Sequence, residues 1–102
     1  MDDRPTEEML MRLTELDPHW WAEIGRHGQG ITFKCPHCDA RLAPAFSNPL
    51  DGGEPAPDPN NSKPRPHWKR SGDTFDTLTL SPSINYPGHW HGFIIDGEVR
   101  NA

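Results

Sequence analysis

Residues 89–100 read HWHGFIIDGEVR, and this stretch decides the fold. Its two runs of strand-forming residues flank Asp96-Gly97, a dipeptide that favours a two-residue β turn. Strands joined by such a turn lie antiparallel and pair with each other. The stretch therefore predicts a β-hairpin.

Two histidines at the start of this stretch indicate a metal site. His89 and His91 are two residues apart, and on a strand such residues project from the same face. Cys35 and Cys38 stand in the sequence CPHC, a spacing that presents two thiolates to one tetrahedral ion. Because imidazole and thiolate ligands together suit zinc, the four residues predict one closed, structural Zn²⁺ site.

Other interpretations of these residues remain open. His37 or His67 could replace one of the two later histidines. Cys35 and Cys38 could instead form a redox pair, although that motif usually heads a helix in a βαβ unit. A catalytic zinc would need an open coordination position and a nearby acid or base. The carboxylates that could serve as this acid or base are those of Asp73, Asp76 and Asp96. No motif places any of them beside the metal.

The composition explains why a metal is expected. The chain has 102 residues, of which 12 are proline and 9 glycine, and only 32% are hydrophobic. A single domain of this length buries a modest fraction of its surface, so its core is thin. A metal ion is a usual way of stabilising so small a fold.

The chain divides into four segments within one predicted domain, residues 1–102. Residues 6–27 carry apolar side chains at helical spacing, interrupted at Asp17-Pro18, and this pattern predicts two short helices. The other segments are a hairpin that carries the cysteines (31–46), a long proline-rich loop (48–66) and a β segment with the histidine half of the zinc site (67–102).

The fold class predicted from these segments is α+β, a small zinc-ribbon-like antiparallel sheet covered by two short N-terminal helices. The helices are expected to contribute apolar side chains to the core, namely Met9, Leu13, Leu16 and Ile24. The sheet face beneath them is expected to carry Phe33, Leu78, Leu80, Phe93 and Ile95.

The charge distribution bears on the partners. A formal net charge of −5 disfavours general binding to nucleic acid or to an anionic membrane. A basic segment nevertheless predicts a contact with nucleic acid or a partner protein, through Lys63, Arg65, Trp68, Lys69 and Arg70. No apolar run approaches the ~18 residues of a membrane span, and the first residues lack the apolar stretch of a secretory signal. We therefore expect a cytoplasmic protein with reduced cysteines.

One further motif, Ser81-Pro82-Ser83, is interpreted as a turn between two strands. Proline restricts the backbone there, and the flanking hydroxyls can bond nearby backbone groups. The alternative interpretation is a substrate or partner surface beside the metal.

The sequence also resembles a family of small bacteriophage and prophage proteins, some of which are labelled ammonia monooxygenase. The resemblance rests on the Cys-Pro-x-Cys knuckle, on Leu-Ser-Pro-Ser-Ile at residues 80–84, and on the His-x-Phe-Ile strand with its Asp-Gly turn. It covers residues 33–38 and 68–99. It implies a zinc-ribbon-like architecture and an origin in a phage or prophage, but no activity.

Together these observations predict a zinc-binding accessory protein of a phage, located in the host cytoplasm. It would act by contact with a host or phage protein and so modulate the host or its defences. The alternatives are a nucleic-acid-binding module that uses residues 63–70 and a zinc-dependent hydrolase. No catalytic residue is assigned, and a role without enzymatic activity is favoured.

Overall fold

A computed structural model describes residues 10–57 and 66–102 of the chain. In these residues there are nine β-strands and one 3-10 helix, and no α-helix. The strands are β1 (Leu10–Arg12), β2 (His19–Trp21), β3 (Gly30–Lys34), β4 (Arg41–Leu42), β5 (Ala45–Phe46), β6 (His67–Ser71), β7 (Thr79–Tyr86), β8 (Trp90–Ile95) and β9 (Glu98–Asn101). The 3-10 helix is Leu13–Leu16.

The described strands form one sheet in the order β1-β9-β8-β7-β6-β5-β3-β2, and β4 pairs with β3 beside this path. Only β5 and β6 pair in parallel, and the other pairs are antiparallel. The sheet curls into a half-barrel, since sheets twist and a small curled sheet can cover both sides of one core. The inner face of this half-barrel holds the core.

Buried and exposed residues alternate along the strands, as strand geometry requires. On β8 the residues Trp90 and Ile94 are buried, whereas His91 and Ile95 are exposed. The core cluster includes Leu13, Leu16, Ile31, Phe33, Phe46, Leu78, Leu80, Ile84, Ile94 and Val99. The predicted core positions at Leu13, Leu16, Phe33, Leu78 and Leu80 are therefore confirmed. Ile24 and Ile95 are instead exposed, Phe93 is half-buried, and Met9 lies outside the described residues.

The predicted fold class, α+β with two N-terminal helices, is wrong, because this chain is nearly all β. The helical spacing of Leu13 and Leu16 serves a single 3-10 turn, in which residues three apart share a face. That turn ends at Asp17, whose φ of 52° is left-handed. Trp20 and Trp21 then lie on strand β2, which suits their large flat side chains.

The hairpin predicted for residues 89–100 is confirmed. Ile95 pairs with Glu98 across the two-residue turn Asp96-Gly97. Both turn residues have positive φ, 51° and 78°, as a type I′ turn demands.

The cysteine-bearing and proline-rich segments differ from their predicted forms in detail. The strand expected to leave the cysteine turn is split into β4 and β5. The described part of the proline-rich loop, residues 48–57, contains no strand or helix, yet it places Pro49 and Ala56 in the interior. Within the described residues, no helix has the length and apolarity that crossing a membrane would require.

Candidate active site

A serine and a histidine meet on the outer face of the sheet. The Nε2 atom of His91 lies 3.3 Å from the Oγ atom of Ser83. His91 pairs with Asn85 across the β7–β8 ladder, and Ser83 precedes Asn85 by two residues on the same face. A diagonal neighbour of this kind is within reach of a long side chain. The imidazole is exposed and Ser83 is half-buried, so the pair is open to a substrate.

An irregularity in β7 presents the serine. Leu80 pairs with Ile94, and Ile84 pairs with Gly92, so β7 advances four residues where β8 advances two. The excess residues are taken up around Ser81-Pro82-Ser83, where the Ser81-Pro82 peptide bond is cis. Bulges of this kind redirect side chains and are frequent beside active sites. The predicted turn is thus a bulge within one strand.

Neighbouring residues hold both the serine and the histidine in place. Trp68 is buried and donates its indole N–H to the backbone carbonyl of Ser83 at 3.1 Å. Ile84, the next residue along β7, is fully buried. The backbone carbonyl of His91 accepts a hydrogen bond from the amide of Ala102 at 3.0 Å. The serine is therefore attached to the core, whereas the backbone of the histidine is attached to the exposed residue Ala102.

The pair has the chemistry of an activated nucleophile. A serine hydroxyl is weakly nucleophilic until an adjacent base can take its proton, and imidazole is the commonest such base. A separation of 3.3 Å is somewhat longer than the ideal hydrogen bond, as is common before a substrate tightens the site. Within the described part of the chain, the His91 ring has no hydrogen-bond partner besides Ser83. The site is accordingly a Ser–His dyad.

A groove of about 280 Å³ opens beside the serine. Its lining residues on β8 follow His91 along the strand, so the groove extends from Ser83 toward the C-terminal end of β8. Its lining consists of Thr79, Leu80, Ser81, Pro82, Ser83, Phe93 and Ile95.

The cysteines lie close to the other histidine. The Sγ atom of Cys38 is 3.3 Å from Nδ1 of His89, which stands in the turn between β7 and β8. The Cys35 thiol contacts the backbone carbonyl of His89 at 3.6 Å and accepts the amide hydrogen of His37 at 3.3 Å. The hydrogen bond with His89 lowers the pKa of the Cys38 thiol, whereas burial raises the pKa of the Cys35 thiol.

The predicted set of four zinc ligands is thus divided between two places. Cys35, Cys38 and His89 are neighbours, whereas His91 faces Ser83. Among residues 10–57 and 66–102, no group of three or more histidine, cysteine, aspartate and glutamate side chains is arranged to hold a metal ion. The structure therefore gives a metal-binding role no support, and a zinc ion remains a prediction from the sequence alone. His67 is remote from this cluster, with its ring bonded to the carbonyl of Ala56 at 2.9 Å.

The basic segment forms no common surface within the described residues. Lys63 and Arg65 lie outside those residues. Trp68 is buried, and its ring stacks on Tyr86 at 6.3 Å between centroids, so it is not exposed for stacking on a base. The guanidinium of Arg70 is bonded to the backbone carbonyls of Asn48 and Gly72. Lys69 is exposed.

The sequence alone does not identify the dyad, because His91 fits a metal ligand and Ser83 fits a turn. The signal that could have joined them is a serine beside a strand-breaking proline, followed eight residues later by an outward-facing histidine on the next strand. That signal is weak without the register of the two strands.

Comparison with known proteins supplies the family. No curated protein and no solved structure matches this chain. The family model described as bacterial ubiquitination-like system serine protease (BubE) matches residues 7–102. The expected phage family is therefore wrong, and so is the function drawn from it, a zinc-binding accessory protein. The alternatives of a nucleic-acid-binding module and a zinc-dependent hydrolase do not fit this family either. With almost its whole length matched, the chain belongs to the BubE family.

Proposed function

We propose that this chain is a serine protease of a bacterial ubiquitination-like system, with Ser83 as its nucleophile and His91 as its general base. The observation that carries the proposal is the 3.3 Å contact between the His91 ring and the Ser83 hydroxyl. The family supports it, because its description names a serine protease and this contact supplies a serine with a base.

The geometry supports the usual two-step acyl transfer. His91 takes the proton of the Ser83 hydroxyl as Oγ attacks the carbonyl carbon of the scissile amide. The amide C–N bond then breaks, and the imidazolium gives its proton to the leaving amine. A water molecule, deprotonated by the same imidazole, attacks the acyl-serine ester; the bond between the acyl carbon and Oγ breaks, the imidazolium returns its proton to Oγ, and the carboxylic acid is released. The enzyme returns to its starting state.

The position of the dyad suits a protein substrate. Ser83 and His91 lie on the outward face of a sheet, not in a closed cavity, and the groove beside them is shallow enough to open to solvent. An extended segment of a substrate protein can reach such a site without any rearrangement of the enzyme. The family description indicates a substrate that belongs to a ubiquitination-like system.

A fluorophosphonate probe tests the nucleophile directly. The probe should modify Ser83 in the wild-type chain, as mapped by mass spectrometry of the modified peptide. The Ser83→Ala variant should lose the label entirely. Ser71→Ala is the matched control, because Ser71 is an exposed serine on β6 outside the site. Absence of label from the wild type, or label that persists in Ser83→Ala, would show that the proposed nucleophile is wrong.

A further inference from the structure

The groove beside Ser83 is apolar, although it lies on the outer face of the sheet. Phe93 and Ile95 project into it from β8, where they alternate with buried residues. Ile95 is 37% exposed, and only one other large hydrophobic side chain in the described residues, that of Ile24, is exposed. Apolar side chains gathered at one exposed place commonly mark a binding site.

Charged groups surround the groove but do not line it. Arg100 pairs with Phe93 across the β8–β9 ladder, and Glu98 pairs with Ile95. These two charges neutralise each other through a contact of 2.7 Å. Thr79, one of the lining residues, is fixed by a hydrogen bond: its hydroxyl accepts the backbone amide hydrogen of Asp96 at 2.7 Å. The lining of the groove is therefore uncharged, and the exposed Lys69, which pairs with the lining residue Ser81 across the β6–β7 ladder, lies next to it.

The position of the groove relative to the dyad assigns it to one half of the substrate. In acyl transfer the histidine protonates the leaving amine, so the amine must lie on the His91 side of Ser83. The groove extends from Ser83 toward Phe93 and Ile95, away from His91 along β8. The acyl half of the substrate, which becomes bound to the serine, must therefore extend over the groove.

We propose that this groove binds the side chain of the residue whose carbonyl is attacked, and that it selects an apolar side chain there. The proposal rests on the proposed function, since it uses Ser83 and His91 to orient the substrate. A charged side chain would lose its hydration in the groove and find no opposite charge among the lining residues. Discrimination of about 10–200-fold is typical of an apolar pocket for one side chain.

Competition against the fluorophosphonate label tests this selection. Tripeptide aldehydes that differ only in their last residue bind reversibly to a serine nucleophile and protect it. An aldehyde ending in leucine should protect Ser83 at concentrations about 10–200-fold lower than one ending in aspartate. Equal protection by the two, or protection by neither, would overturn the proposal.

Two variants of the groove sharpen the result. Ile95→Lys places a positive charge at the rim and should shift the preference toward the aspartyl aldehyde, while labelling by the small probe continues. Ile95→Ser should weaken the protection of Ser83 by the leucyl aldehyde without strengthening protection by the aspartyl aldehyde. Ile24→Lys is the matched control, because it replaces the other exposed isoleucine and should leave the preference unchanged. The same preference in all variants would contradict a role for the groove.

The remaining outcomes separate this proposal from the proposed function. If wild-type Ser83 takes no label, the catalytic assignment fails and the groove proposal fails with it. If labelling is normal but the aldehydes do not discriminate, only the groove proposal fails. Light scattering tests the other occupant, a second copy of the chain. A dimer that Ile95→Lys dissociates, without a change in aldehyde preference, would assign the groove to self-association and overturn the proposal.

Discussion

The indole N–H of Trp68 donates a hydrogen bond of 3.1 Å to the backbone carbonyl of Ser83. The contact joins β6 to the bulge in β7, where pairing with β8 is interrupted. Because Trp68 is itself buried, it links the bulge to the core. The placement of the serine hydroxyl thus depends on a tryptophan that lies in the core.

Replacement of this tryptophan should affect both stability and reactivity. Trp68→Phe keeps an aromatic ring in the core but removes the N–H donor, so the Ser83 carbonyl loses its partner. We expect the free energy of unfolding to fall by about 1 kcal/mol, the usual net value of one such bond. The rate of fluorophosphonate labelling should fall by up to about fivefold if the transition state of labelling is destabilised by the same free energy. Urea denaturation and a labelling time course measure the two effects.

The control for this variant is Trp90→Phe. The Trp90 indole donates to the side chain of Asn101 on β9 at 2.9 Å, and not to the carbonyl of Ser83. Its replacement should lower the stability by a similar amount without slowing the label. If both variants slow labelling equally, the effect comes from general loosening and not from the carbonyl of Ser83.

The two histidines of the HWH motif should have separate roles. His91→Ala removes the base, and the rate of labelling at Ser83 should fall by about 10²–10⁴-fold. His89→Ala should change that rate by no more than a few-fold, because the His89 ring faces Cys38. Time courses on the two variants make the comparison, with circular dichroism to confirm that both are folded. Equal losses would contradict the assignment of His91 as the only base of the pair.

Local signals in the sequence predicted the parts of this fold that depend on neighbouring residues. The Asp96-Gly97 turn needs positive φ at two adjacent positions, and this requirement identifies the hairpin without any long-range information. The closeness of Cys35 to Cys38 is likewise a property of four consecutive residues. These features need no knowledge of which strands become neighbours in the sheet.

The parts of the fold and of the site that the sequence did not predict depend on strand register and on long-range contacts. The spacing of Leu13 and Leu16 fits an α-helix as well as a single 3-10 turn, and only the antiparallel pairing of β1 with β9 decides between them. The meeting of Ser83 with His91 follows from a bulge that no local pattern predicts. A mixed apolar and polar sequence such as residues 10–21 therefore predicts burial better than it predicts secondary structure.

A glycine at the site should tolerate no side chain. A Cβ atom on Gly92, the residue after His91, would meet the backbone carbonyl of Arg100 and the ring of Trp90. Since backbone cannot give way as a flexible side chain can, Gly92→Ala should destabilise the protein by about 1–3 kcal/mol. A thermal melt should show a lower Tm, and the label at Ser83 should weaken as β8 shifts. An unchanged Tm would show that β8 and β9 have more freedom than these contacts allow.

The loss of stability as the pH falls should depend in part on Asp51. Its carboxylate accepts hydrogen bonds from the side chain of Arg26 at 2.7 Å and from the amides of His27 and Gly53. The Arg26 guanidinium, followed by these amides, holds the pKa of Asp51 well below its usual range. A pKa that is lowered by folding contributes stability above the unfolded value, about 3.9, and loses it as the pH falls toward the folded value. Asp51→Asn should therefore be less stable than the wild type at pH 7, and the difference should narrow as the pH falls below about 4.

Urea denaturation from neutral to acidic pH measures this difference, with Asp73→Asn as the control. Asp73 is exposed and forms no hydrogen bond or ion pair within the described residues, so the same substitution there should leave the pH profile close to that of the wild type. The two variants lose the same charge, which removes any effect of net charge from the comparison. A gap between wild type and Asp51→Asn that stays constant from pH 7 into the acid range would mean that the Asp51 contacts stabilise the fold equally in either protonation state. The ionised carboxylate would then not be what joins the Arg26 loop to residues 51–53.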